Sequence, residues 1–122
     1  MKLSILDTDV LSEFFRGNQK VTTRVDEHLN SFGYVILIII SYYEILNGLL
    51  YKDARKQLPL FEVFVAQNKV LPLTIRTVKI SANIQAELRK KGISIGHTDT
   101  LIAGIAIANQ MPLITNNTIH FS

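Results

Sequence analysis

Three acidic residues, Asp7, Glu44 and Asp99, stand where apolar runs give way to helix signals or where a new helix begins. Such placement gathers them at one edge of a single sheet. Like charges brought together in a cleft repel and raise one another's pKa. A carboxylate cluster is therefore kept where something cationic binds, most often a hard divalent metal with oxygen ligands. Metal-dependent chemistry is the first expectation for this chain.

The rest of the composition suits a polyanionic substrate. Net charge is +3, from 13 basic and 10 acidic residues. With the three candidate ligands set aside, seven acidic residues face the 13 basic ones. A basic body around a small acidic pocket fits a substrate whose scissile phosphate meets a metal. The absence of cysteine excludes disulfides and thiolate metal sites, in keeping with a reducing compartment. The longest apolar run, Val35 to Ile40, is too short to span a bilayer. Met1-Lys2 opens directly onto a strand-like segment without a signal-peptide pattern. A cytoplasmic chain with no membrane association is expected, and 122 residues read as a single domain, 1–122. There is no Ser–His–Asp set, P-loop or glycine-rich dinucleotide fingerprint to support triad catalysis or nucleotide binding.

The elements that must position the carboxylates follow from periodicity. Lys2 to Leu6 reads as a buried strand ending at Asp7. Thr8 or Asp9 then caps a helix with a stripe of Val10, Leu11, Phe14 and Phe15, closed by Gly17. A second helix runs from about Lys20 to Asn30 and ends near Gly33. Tyr34 to Ile40 is apolar on both faces, as central parallel strands are. Ser41 starts a helix carrying Ile45, Leu46, Leu49 and Leu50, and another begins near Pro59 with Phe61, Phe64 and Val65. Val70 to Leu73 is a short strand. Thr74 caps a long helix repeating Ile80, Ile84 and Leu88 and ending in Arg89-Lys90-Lys91-Gly92. The last helix runs from Asp99 to about Gln110, with His97-Thr98 before it, and Pro112 to Thr115 is the final strand. Alternating strands and helices imply an α/β fold with a mostly parallel sheet and right-handed crossovers.

In open parallel sheets the cleft lies outside the carboxyl ends of the strands. Asp7, Glu44, Asp99 and Asn117 can all reach that edge. Each also has a plainer role. Asp7 could cap the next helix, and Ser41-x-x-Glu44 matches a capping box. Asp99 suits a helix N-terminus, and Asn117 could shape a turn. Thr115 could orient a carboxylate or the scissile phosphate, and Asp9 could be a cap or a support for the ligands. Arg16, Lys20 and Arg24 follow the first acidic block and could flank the cleft, whereas Arg89-Lys90-Lys91 read as a solvated helix end. His97 beside Asp99 reads as a surface residue rather than a general base. Tyr42 and Tyr43 beside Glu44 could stack a base, one of them being core.

Four blocks resemble the PIN-domain nucleases, and within them the VapC-type toxins of bacterial toxin–antitoxin pairs. They are Ile5-Leu6-Asp7-Thr8-Asp9-Val10-Leu11, then Ser41-Tyr42-Tyr43-Glu44-Ile45-Leu46-Asn47-Gly48. Ile95-Gly96-His97-Thr98-Asp99-Thr100-Leu101-Ile102-Ala103 and Leu113-Ile114-Thr115-Asn116-Asn117-Thr118-Ile119-His120-Phe121 complete the set. The resemblance spans nearly the whole chain in the family's order. It implies a PIN-like three-layer fold, with a central, mostly parallel sheet of four or five strands flanked by helices. It also implies an endoribonuclease dependent on Mg²⁺ or Mn²⁺, with Asp7, Glu44 and Asp99 as metal ligands and Asn117 as the fourth site residue. Thr8, Asp9, Ser41 and Thr115 would support the ligands or touch substrate. The resemblance further implies an RNA substrate, a VapB-like antitoxin whose C-terminal segment blocks the groove, and a homodimer. Two departures stand out: Asn117 occupies a position often acidic in the family, and the family's usual last strand and tail are largely absent after Phe121.

Two other readings compete. Asp7-Thr8-Asp9-Val10-Leu11 approaches the nucleophile loop of haloacid-dehalogenase-type phosphohydrolases, with Asp7 attacking phosphorus and Asp9 as acid/base, although Leu11 departs from that loop. A catalytically degenerate interaction module is the second, motivated by Asn117 and the short C-terminus.

Overall fold

The computed structural model describes residues 2–115; Asn117 lies outside the described residues. In chain order the elements are β1 (Ile5–Leu6), α1 (Thr8–Phe15), α2 (Gln19–Phe32), β2 (Ile36–Ile38), α3 (Ile39–Tyr51) and α4 (Gln57–Gln67). They continue with β3 (Lys69–Leu71), α5 (Ile75–Lys90), α6 (His97–Ala108) and β4 (Leu113–Ile114). The four strands form one sheet of order β3-β2-β1-β4, and every pairing is parallel.

Alternation along the strands builds three layers. Successive side chains of a strand point to opposite faces, so Ile5, Ile36 and Ile38 go one way and Leu6, Val35 and Leu37 the other. The first set packs on Ile102, Ile105 and Ala106 of α6 together with Leu71. The second packs on Val10 and Leu11 of α1 and Val21 and Val25 of α2. Burial on both faces explains why these runs are apolar throughout. Truncating a fully buried residue such as Leu11 or Ile36 to alanine would cost about 2–5 kcal/mol.

Several boundaries differ from expectation. The strand expected over Tyr34 to Ile40 is paired only over Ile36–Ile38, because Ile39 and Ile40 already form the first turn of α3. The cap of that helix is Ile38, with no side-chain cap bond, so Ser41 does not cap it and lies fully buried inside its first turns. Asp7 caps α1, not Thr8 or Asp9. The third strand is Lys69–Leu71 rather than Val70 to Leu73, since Pro72 cannot donate to a ladder. Helix α6 starts at His97 on Gly96, two residues before Asp99. The capping box of Thr74 with Thr77 on α5 agrees with the expected cap, as do the left-handed Gly17, Gly33 and Gly92.

One helix pair is unusually close. A Cβ on Gly104 of α6 would overlap Ser81 Oγ of α5 and stand 2.7 Å from the Thr77 carbonyl oxygen. Glycine there is a packing requirement, and it sets how deeply α6 sits against α5. His28 is a second structural finding. It is 1% exposed; Nε2 accepts from the Ser4 N–H at 3.1 Å, which leaves Nδ1 to donate to the Tyr34 carbonyl at 3.2 Å. These bonds join α2 to the segments leading into β1 and β2.

Candidate active site

The strand order puts the topological switch point between β1 and β4, where ligands of open α/β sheets bind. Backbone bonds fasten the two strands there: Ile5 N–H donates to Pro112 O and Asp7 N–H to Ile114 O, each at 2.9 Å. Asp7 follows β1 directly, and Thr115 follows β4. The Thr115 hydroxyl donates to Asp9 Oδ2 at 3.2 Å, while Asp9 Oδ1 accepts from the Val10 N–H at 2.8 Å. Asp9 therefore ties the last strand to the first helix.

Asp7 has two roles in one side chain. Its Oδ1 accepts from the Thr8 N–H at 2.8 Å, which is the N-cap contact, and its carboxyl remains near the other acids. Its pKa is raised above the ordinary value. Burial is the main cause, the Thr8 N–H pulls the other way, and the charges of Asp9, Glu44 and Asp99 add to the rise. The same interactions show that these acids share one electrostatic neighbourhood.

Glu44 is held by hydroxyls rather than by a capping box. Thr8 Oγ1 lies 2.8 Å from both Glu44 Oε1 and Ser41 Oγ. A carboxylate only accepts and a hydroxyl has one proton to give. The consistent arrangement is that Ser41 donates to Thr8 and Thr8 donates to Glu44. Glu44 is otherwise exposed. Asp99, the third residue of α6, is also exposed, with Oδ2 3.6 Å from where a Cβ on Gly96 would stand. Among the described residues it has no hydrogen bond or ion pair.

The donor set is all oxygen, and it concentrates negative charge around a half-buried carboxyl. That chemistry fits a hard divalent ion. Among the described residues no group of three His, Cys, Asp or Glu side chains is placed to hold a metal ion together, so the side chains as they stand would have to move toward one another to share one.

The remaining expected residues separate. Arg16 pairs with Glu13 at 2.9 Å and lines a cavity of about 370 Å³ between α1, α3 and α4 that Glu44 also borders. Lys20 and Arg24 are exposed on α2. Tyr42 is committed elsewhere: its hydroxyl donates to Glu62 at 2.9 Å and its ring stacks on Phe61 at 5.7 Å. Tyr43, 67% exposed, is the aromatic left open beside Glu44. Gln85 was not anticipated. Its Nε2 donates to Thr100 Oγ1 at 2.7 Å and to the Ile95 carbonyl at 3.3 Å, anchoring the start of α6 and hence Asp99. No local pattern marks a glutamine whose partners lie ten and fifteen residues away.

A model of the PIN domain matches residues 4–122. The Ribonuclease VapC of Rickettsia bellii is 31% identical over 121 residues, covering 96% of this chain and 87% of that protein. The tRNA(fMet)-specific endonuclease VapC of Shigella flexneri is 28% identical over 118 residues, covering 96% and 88%. Among solved structures, VapBC2 from Rickettsia felis bound to a promoter DNA fragment aligns with a TM-score of 0.82 at 22% identity, over 95% of this chain and 88% of that one. DNA-bound VapBC from Salmonella typhimurium gives 0.81 at 24%, over 96% and 88%. The two structures attest the fold, and the two sequences reach the same group independently. With its acids gathered where the sheet order reverses, the chain belongs to the PIN domain family, among the VapC-type ribonucleases.

Proposed function

We propose that this chain, as a single domain over 1–122, is a metal-dependent endoribonuclease and the toxin of a toxin–antitoxin pair, acting on RNA in the cytoplasm to inhibit translation. The observation that carries the reading is the placement of Asp7 at the end of β1, linked through Thr8 to Glu44, at the β1–β4 switch point. Asp7, Glu44 and Asp99 would hold Mg²⁺ or Mn²⁺. When bound, such an ion supplies Lewis acidity against the charge developing on the scissile phosphate and makes water a better nucleophile.

The chain's own residues do the positioning. Asp7 is clamped through its backbone to β4 and through Oδ1 to the start of α1. The Thr8 hydroxyl aims Glu44, and Ser41 aims Thr8. Thr115 and Asp9 keep β4 against α1. Asn117 is assigned to the site as its fourth residue. Arg16, Lys20 and Arg24 would meet the RNA backbone. Hydrolysis would leave a 5′-phosphate and a 3′-hydroxyl. The cavity beside Glu44, walled by Phe15, Ile45, Leu49, Leu60 and Phe61, would receive a VapB-like antitoxin segment, and exposed apolar residues such as Tyr51 and Leu50 would favour a second copy of the chain. Among the described residues no helix is long and apolar enough to cross a membrane.

Membership of the PIN family sets the haloacid-dehalogenase reading aside. The degenerate-module reading makes the opposite prediction from ours in one assay. Purified protein should cleave RNA with Mg²⁺ or Mn²⁺ and stop on addition of EDTA. Cleavage that survives exhaustive chelation would end the metal assignment, and no cleavage with either ion would leave an interaction module.

A further inference from the structure

The connection between α5 and α6 borders an open surface hollow of about 310 Å³, lined by Gln85, Arg89, Ser94, Ile95 and His97 among others. Hydrogen bonds and a turn shape it. Gly92 turns the chain at φ 74°, Ile93 N–H donates to Leu88 O at 2.9 Å, and Gln85 holds Ile95 and Thr100. A second cavity of about 330 Å³ runs along the groove between the two helices and shares Gln85, Arg89 and His97 with the first. Both hollows border the same three side chains and lie open to the surface, so together they form a shallow trough along the α5–α6 seam.

The basic run at this helix end is not uniform. Lys90 lies 3.7 Å from Glu87 in an exposed pair, as a solvated helix end would have it. Arg89, one residue earlier, has no ion pair or side-chain hydrogen bond among the described residues and stands where the two hollows meet. The trough also adjoins Asp99: Gly96 lies between the lining residues Ile95 and His97, and Asp99 Oδ2 stands 3.6 Å from where a Cβ on Gly96 would be.

We propose that this trough carries the RNA backbone beside the cleavage point, with Arg89 contacting a phosphate that flanks the scissile one and Gln85 and His97 lining its path. The inference rests on the ribonuclease reading. A guanidinium matches phosphate geometry with two parallel hydrogen bonds, and phosphate contacts fix a strand's register without reading its bases. Arg89 thereby sets which bond reaches Asp99.

Fluorescence anisotropy of a labelled single-stranded RNA oligonucleotide, with divalent ions chelated and over a salt series, tests binding apart from cleavage. Arg89→Ala should weaken binding about five- to tenfold at low salt. It should also flatten the slope of log K against log salt by about 0.7, one phosphate contact on a single strand, with an unchanged thermal melt. Arg89→Lys should recover part of both. Arg55→Ala removes the same charge between α3 and α4, in the layer across the sheet, and should leave the slope alone. Equal effects in the Ala variants, an unchanged slope in Arg89→Ala, or no RNA binding by the wild type each overturn the proposal. RNA bound with an Arg89-dependent slope but never cleaved with metal supports the trough and sinks the ribonuclease reading; cleavage with an Arg89-independent slope does the reverse.

Discussion

On one wall of the cleft, Asp7 and Glu44 are held by named partners: the Thr8 N–H and the β4 backbone for Asp7, the Thr8 hydroxyl for Glu44. On the other side Asp99 rides at the start of α6, placed by the seating of that helix through the Gln85 bonds and the close approach at Gly104. The first pair is preorganised by hydrogen bonds to the carboxylates themselves, and Asp99 only through the helix that carries it. The three carboxylates are therefore not interchangeable, and substitutions on the two sides should fail in different ways.

The largest effect is expected at the acids themselves. Asp99→Asn and Glu44→Gln should each abolish RNA cleavage while leaving thermal stability close to wild type, since neither side chain supports a fold contact beyond the Thr8 bond. A melt that collapses in Asp99→Asn would make Asp99 a structural residue and erase the contrast. Thr8→Val comes next. It removes the hydroxyl that aims Glu44, and cleavage should fall about 10–100-fold, the range for losing a partner that orients a metal ligand, the role proposed for Glu44. Thr8→Ser should recover most of it; a Ser variant as poor as Val would show that the methyl, not the hydroxyl, matters.

Gly104→Ala probes the packed wall. The new methyl must push α6 away from Ser81 and Thr77, costing about 1–3 kcal/mol by overpacking, and it should reduce cleavage through Asp99 with Asp7 and Glu44 undisturbed. Denaturant melts check the first part, and a stability equal to wild type would contradict the close approach. The smallest effect is in pH. Burial holds the His28 imidazole below its usual 6.5, so the unfolded chain takes up that proton first as pH falls. Its contribution is whole above 6.5 and declines as pH drops below it toward the depressed folded value. His28→Leu should flatten that part of the stability profile, while costing about 1–3 kcal/mol for the orphaned Ser4 N–H.

Much of this architecture was legible because it depends on local signals. Apolar runs between helix signals, the Thr74 cap and the glycines after α1, α2 and α5 mark the elements well. What escaped depended on partners distant in sequence. Ser41-x-x-Glu44 has the spacing of a capping box, yet the β-branched Ile39 and Ile40 continue as helix, and Ser41 turns inward to Thr8, 33 residues away. Cap and ligand look like alternatives for Asp7 in the sequence, whereas a carboxylate has two oxygens and caps α1 here with one. That Asp7 directly follows β1 and that Asp99 lies in the first turn of α6 was legible from topology; the hydroxyl relay and the Gln85 anchor were not.

The sheet order has a consequence for how the molecule is made. Ribosomes deliver the chain from its N-terminus, so β1, β2 and β3 can pair while α6 and β4 are still unsynthesised. Asp7 and Glu44 are then already in place, but Asp99 has not emerged and the strand that flanks β1 does not exist. Acid that is harmless in the nascent chain becomes a complete set only when the final segment swings back across the sheet to lie beside the first strand. For a chain proposed to attack RNA, the translating ribosome's own template is spared until α6 and β4 have been made.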